Sequence, residues 1–144
     1  MTDHQRPLNK RGRRDAPELG KRIAEHGLTP ELIISSSAER ARTTAQLVAE
    51  HCEYDGAVEI PGHSYVQIAA DYLAVLEALP DERQRVMVVG HNPGLEYLLA
   101  LMSGQHESLP TCALAEVLLP IESWSQLAGE VVGKLETLWR PKEL

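Results

Sequence analysis

Cysteine is scarce: Cys52 and Cys112 are the only two among 144 residues. Neither sits in a CxxC or beside a histidine at ligand spacing, which excludes a disulfide framework and leaves no zinc motif. Both are expected to be reduced and structural, and no metal or cofactor is expected. Long apolar runs are also missing. None approaches the ~20 residues of a membrane span, and the opening MTDHQRPLNKRGRR lacks the apolar segment of a secretory signal. The expectation is a cytoplasmic protein without a membrane partner. Net positive charge is absent as well: the formal charge is −7, which argues against nucleic acid as a partner, because such binders need a basic face.

What is present suits one globular domain spanning 1–144, with 43% hydrophobic residues to build a core. The charge is unevenly spread. Seven of the fourteen basic residues lie within the first 22 positions, so that end is near +4 and the remainder near −11. For Arg13, Arg14, Lys21 and Arg22 the plain reading is a solvated helix face.

Along the chain, Asn9 can cap a helix carrying Ala16, Leu19 and Ile23 at helical spacing and ending at His26-Gly27. Leu32 to Ser35 reads as a short buried strand, followed by a helix from about Ala38 to His51. Val58 to Ile60 is a weak strand before the Pro61-Gly62 break. A third helix carries Ile68, Tyr72, Leu76 and Leu79 and stops at Pro80. Val86 to Val89 is as apolar as a central parallel strand. Asn92 then suits an N-cap and Pro93 the first helical position, with Leu95, Leu98, Leu99 and Met102 on the buried side. Strands at Leu114 to Leu119 and Leu135 to Trp139 enclose a short segment at Ser123 to Leu127. Strands alternating with helices predict an α/β class, a three-layer α/β/α sandwich with a mostly parallel sheet.

In such sheets ligands gather beyond the carboxyl ends of the strands. Two stretches occupy that position. In SSSAERARTTA, Ser35 to Ala45, a strand runs through three hydroxyls into a helix with Arg40 in its first turn. Backbone N–H groups, the helix dipole and a guanidinium together suit a phosphate. The alternative is a helix capped by Ser37 with Arg40 and Arg42 in water. In VMVVGHNPGLEYLL, Val86 to Leu99, His91 stands between a strand end and a helix start. There it can donate to a phosphoryl oxygen or shuttle a proton near neutral pH. A lone histidine in that place also has a structural reading.

RPLNKRG, SSSAERARTTA and VVGHNPGLEYL, in this order and spacing, resemble the histidine phosphatase superfamily, phosphoglycerate-mutase-like, and its SixA-type phosphohistidine phosphatase branch. The closing Leu138 to Leu144 is similar to that branch too. The resemblance implies that Arg40 binds phosphate and that His91 is a catalytic residue contacting the transferring phosphoryl group. It implies architectural roles for Asn9 and Gly12. It further implies a phosphohistidine phosphatase working through a phosphohistidine enzyme intermediate, with a phosphorylated protein or small phosphorylated compound as substrate.

One family feature is missing. Members carry an Arg-His-Gly or Arg-His-Ala at the end of a first strand, its histidine being the phosphoryl acceptor, and no Arg-His pair occurs in these 144 residues. His4 stands where members have the loop after that strand; His26, His51, His63 and His106 lie outside any motif and are expected at the surface. The expectation is therefore an N-terminally incomplete domain, from a misassigned initiation site or a shortened chain, with an exposed sheet edge. Activity of the chain as it stands is expected to be absent or weak. The alternative is a pseudo-enzyme that binds a phospho-ligand without turnover. IPGHSYVQIAAD, Ile60 to Asp71, has no acid in its interior, where mutase-type members carry one. Phosphohistidine needs less help, since protonated imidazole leaves readily; Glu59 and Asp71 are the nearest carboxylates to a general acid.

Overall fold

The computed structural model describes residues 2–61, 68–129 and 131–141. Gly62 of the Pro61-Gly62 break, His63 and most of the stretch before Asp71 lie outside the described residues, as do Lys142 to Leu144 of the closing motif. The chain divides into two compact units, one of residues 1–65 with 84–90 and one of residues 66–83 with 91–143.

In the first unit, helix α1 spans Lys10–Glu25 and starts as its sequence predicts. The Asn9 side chain accepts a hydrogen bond from the Gly12 N–H at 2.9 Å, satisfying one of the donors a first helical turn leaves open. At the other end the Leu28 N–H reaches the Ile23 carbonyl and the Gly27 N–H the Ala24 carbonyl. That pair of bonds turns the chain through a left-handed residue, which Gly27 supplies at φ +67° without a Cβ clash. Strand β1, Leu32–Ser35, is buried at every position. Helix α2, Glu39–His51, packs on α1 and buries Ala41, Ala45, Val48 and Ala49. Its N-cap is Ala38 and not Ser37; the Ser36 hydroxyl accepts from the Ala38 N–H at 3.2 Å instead.

Helix α3, Ala69–Glu77, belongs to the second unit, and strand β2, Val86–Val89, to the first. β2 runs parallel to β1 with Leu32 opposite Val86 and Ser35 opposite Val89. The weak strand expected at Val58 to Ile60 contracts to one parallel bridge, Ile34 to Glu59, closed by Ser35 N–H to the Glu59 carbonyl and Glu59 N–H to the Ile33 carbonyl, both 2.9 Å. β1 is thus flanked on both sides. β2 is not: all four of its residues are half-exposed, and among the described residues only β1 pairs with it. Its apolar run reads as a central strand, yet its second edge carries no described strand.

In the second unit, α3 is joined by helix α4, Gly94–Ser103, and by an antiparallel pair, β3 at Leu114–Leu118 and β4 at Lys134–Trp139. A 3-10 turn at Trp124–Ala128 is capped by the Ser123 hydroxyl and packs on α3. Tyr72, Leu76, Leu98 and Leu99 form the core here, whereas Ile68, expected within the third helix, is its N-cap and is 59% exposed. Among the described residues the strands comprise one parallel and one antiparallel pair, within an α/β architecture. Among the described residues no helix is long and apolar enough to cross a membrane.

Both cysteines are buried. Cys52 ends α2 with no exposed surface, and burial pushes its thiol above the ordinary value of 9.0. Below that pH folded and unfolded chains both hold the proton; above it the unfolded chain releases the proton first. Stability is therefore expected to fall as pH rises past about 9, by at most about 1.4 kcal/mol per pH unit from this group. Urea melts between pH 8 and 10.5 test this. Equal slopes for the wild type and Cys52→Ala would remove the thiol as the cause.

Candidate functional site

Arg40 lies in the first turn of α2, three residues beyond the serines that follow β1. Ser35 and Ser36 are buried; the Ser35 hydroxyl donates to the Ser36 carbonyl at 2.8 Å, and the Ser36 N–H to the Val89 carbonyl at 2.9 Å. These bonds fix the turn between strand and helix and aim the first residues of α2 at the carboxyl edge of the β1–β2 pair.

The Arg40 guanidinium is largely sheltered, with 22% of its side chain exposed, and it is engaged. Its Nη1 donates to the Asp3 carbonyl at 2.8 Å and its Nη2 to the Asp3 carboxylate at 3.2 Å. Asp3 opens a short 3-10 turn, Asp3–Gln5. The next residue, His4, places Nε2 2.9 Å from the Ser37 hydroxyl. The structure thus brings Arg40 together with Ser37, Asp3 and His4. No local pattern in the sequence points to Asp3 or His4, because contacts between residues 33 and 37 positions apart leave none.

His91 is the first residue of the second unit's longer segment, directly after Gly90. Its backbone N–H donates to the Tyr72 hydroxyl at 3.0 Å, and Tyr72 is buried on α3. The ring is therefore carried on a backbone fixed from a neighbouring helix, a tie that sequence reading missed. The expected cap differs too. Pro93 is the N-cap of α4, and the Asn92 side chain donates to the Leu109 carbonyl, pinning the loop before β3. The same loop is held by Glu96, which accepts from the Leu109 N–H at 2.7 Å, and by an Arg140–Glu107 ion pair at 3.0 Å.

Of the remaining candidates, Asn9 is a helix cap and Gly12 lies against Leu8, both architectural. Asp71 accepts a hydrogen bond from the Ile68 N–H at 3.3 Å. Glu59 holds the bridge to β1 through its backbone. His26 and His106 are exposed and His51 half-exposed.

The fold is similar to that of solved phosphatase structures. A protein histidine phosphatase SixA complexed with tungstate superposes with a TM-score of 0.80, at 23% identity, over 98% of this chain and 88% of that one. The Agrobacterium tumefaciens protein described as a putative phosphohistidine phosphatase SixA gives 0.78 at 27% identity, covering 98% and 87%. The family model described as histidine phosphatase superfamily (branch 1) matches residues 2–60. An uncharacterized chloroplastic protein of Arabidopsis thaliana is 33% identical over 98% of this chain and 70% of its own length. The chain belongs to the histidine phosphatase superfamily, with a fold of the SixA type.

Proposed function

We propose that this chain binds a phosphoryl group through Arg40 and His91, and that the protein is a phosphatase acting on phosphohistidine or another small phosphoryl substrate. The observation that carries the reading is the grip of Arg40 on two oxygens of Asp3, one of them anionic, at the amino end of α2. A guanidinium so placed offers two parallel donors, the geometry that phosphate oxygens match. His91 follows the strand whose last residue is in register with the last residue of β1, so the two candidates leave adjacent strand ends in sequence. In this reading Arg40 clamps the phosphoryl oxygens while His91 stabilises the charge of the transition state. The SixA proteins similar to this chain are described as histidine phosphatases, which supports a phosphohistidine substrate. A cytoplasmic location and a single functional domain belong to the same proposal.

Because these 144 residues contain no Arg-His pair, the chain by itself is proposed to hydrolyse weakly or not at all. That same absence favours, as a second reading, a binding module that holds a phosphorylated partner without turnover. Calorimetric titration with inorganic phosphate or vanadate tests the shared part. Replacing a charged hydrogen-bond donor costs about 1.5–3 kcal/mol, so Arg40→Ala is expected to weaken binding roughly ten- to hundred-fold. Unchanged affinity in Arg40→Ala overturns the assignment. Turnover of a phosphohistidine peptide that is lost in Arg40→Ala would overturn the inactivity and make His91 or His4 the acceptor.

A further inference from the structure

We propose that Asp3 is a built-in competitor for the anion site at Arg40, so that an incoming phosphate must displace it. The inference rests on the reading of Arg40 given above and adds a regulatory residue to it. Asp3 presents two oxygens to the two terminal nitrogens of one guanidinium, its carbonyl at 2.8 Å and its carboxylate at 3.2 Å. Two oxygens of a phosphate would make the same pair of contacts, and both would carry anionic charge where Asp3 offers one. The two ligands are thus mutually exclusive on this face of the guanidinium.

The competitor is also able to leave. The 3-10 turn that carries it buries no residue, and 55% of the Asp3 side chain is exposed. Its other carboxylate oxygen meets Arg6 at 3.2 Å, an ion pair in which both side chains are more than half exposed. The His4 to Ser37 hydrogen bond holds the turn against the start of α2, which keeps Asp3 at high local concentration beside Arg40. A different role, a strut that holds Arg40 in its binding pose, predicts the opposite sign when Asp3 is changed.

The experiment is calorimetric titration of the wild type, Asp3→Asn, Asp3→Ala and Arg40→Ala with inorganic phosphate at pH 7, with thermal melts to confirm that each variant is folded. Partly exposed ion pairs are weak, so removing the carboxylate is expected to tighten phosphate binding by only about two- to five-fold. The same direction in both Asp3 variants supports competition. Unchanged or weaker binding in both, with Arg40→Ala still losing affinity, overturns competition and leaves the Arg40 assignment standing. No phosphate binding by the wild type or by either Asp3 variant overturns the Arg40 assignment and the competitor with it.

Discussion

Ile33→Ala is expected to destabilise the protein by about 2–5 kcal/mol, the range for truncating a buried isoleucine. Ile33 has no exposed surface, and it sits in a strand whose four residues are all buried, so both faces of β1 are covered. Its backbone bonds survive the substitution. The Ile33 N–H donates to the Tyr54 hydroxyl at 3.1 Å and its carbonyl accepts from the Glu59 N–H at 2.9 Å whichever side chain is present. The loss is therefore packing alone: transfer of the removed methylene and methyl groups plus the cavity left among neighbours that cannot close on it. For a chain of this size the drop in melting temperature is about 5–15 °C. Circular dichroism melts measure it, with Val132→Ala, at a position 69% exposed, as the control expected to change little. A loss below 1 kcal/mol for Ile33→Ala would mean that β1 is not the rigid centre of its unit.

Gly20→Ala is expected to destabilise by about 1–3 kcal/mol, although intrinsic propensity points the other way. In an exposed helix interior, alanine in place of glycine stabilises by about 1 kcal/mol. At Gly20, however, a Cβ would stand 2.8 Å from the Val48 carbonyl oxygen and 2.8 Å from the His51 Cβ, with the His51 carbonyl carbon at 3.2 Å. Two of those neighbours are backbone, so neither can swing aside. The α1 and α2 helices would have to separate where Gly20 meets Val48 and His51, and the strain of such overpacking is about 1–3 kcal/mol. Gly27→Ala is a useful comparison, because nothing lies within 4 Å there and only its positive φ is at stake. Equal or greater stability of Gly20→Ala in urea melts would contradict the close crossing of the two helices.

Much of the secondary structure was legible. Asn9 and Gly27 mark the ends of α1 because capping satisfies backbone groups within a few residues. The apolar runs LIIS and VMVV mark β1 and β2 for the same local reason. Two caps misled. Ser37 and Asn92 are both suited to capping, yet the Ser37 hydroxyl meets His4 and the Asn92 side chain meets Leu109, so Ala38 and Pro93 take the cap positions. A polar side chain goes to whichever partner the tertiary fold brings nearest, and that partner is distant in sequence.

The candidate residues divide along the same line. That Arg40 begins a helix just after one strand and His91 follows another was readable from order and spacing, since a strand end and a helix start are local features. Which groups surround them was decided only by folding: Asp3 on the guanidinium of Arg40, His4 on Ser37, the Tyr72 hydroxyl under the backbone of His91. So was the half-exposure of β2, whose composition is that of an interior strand but whose burial depends on what lies along its second edge. Composition and periodicity determine which residues prefer to be inside or extended; they carry no record of which remote segment arrives to satisfy a given donor, acceptor or edge.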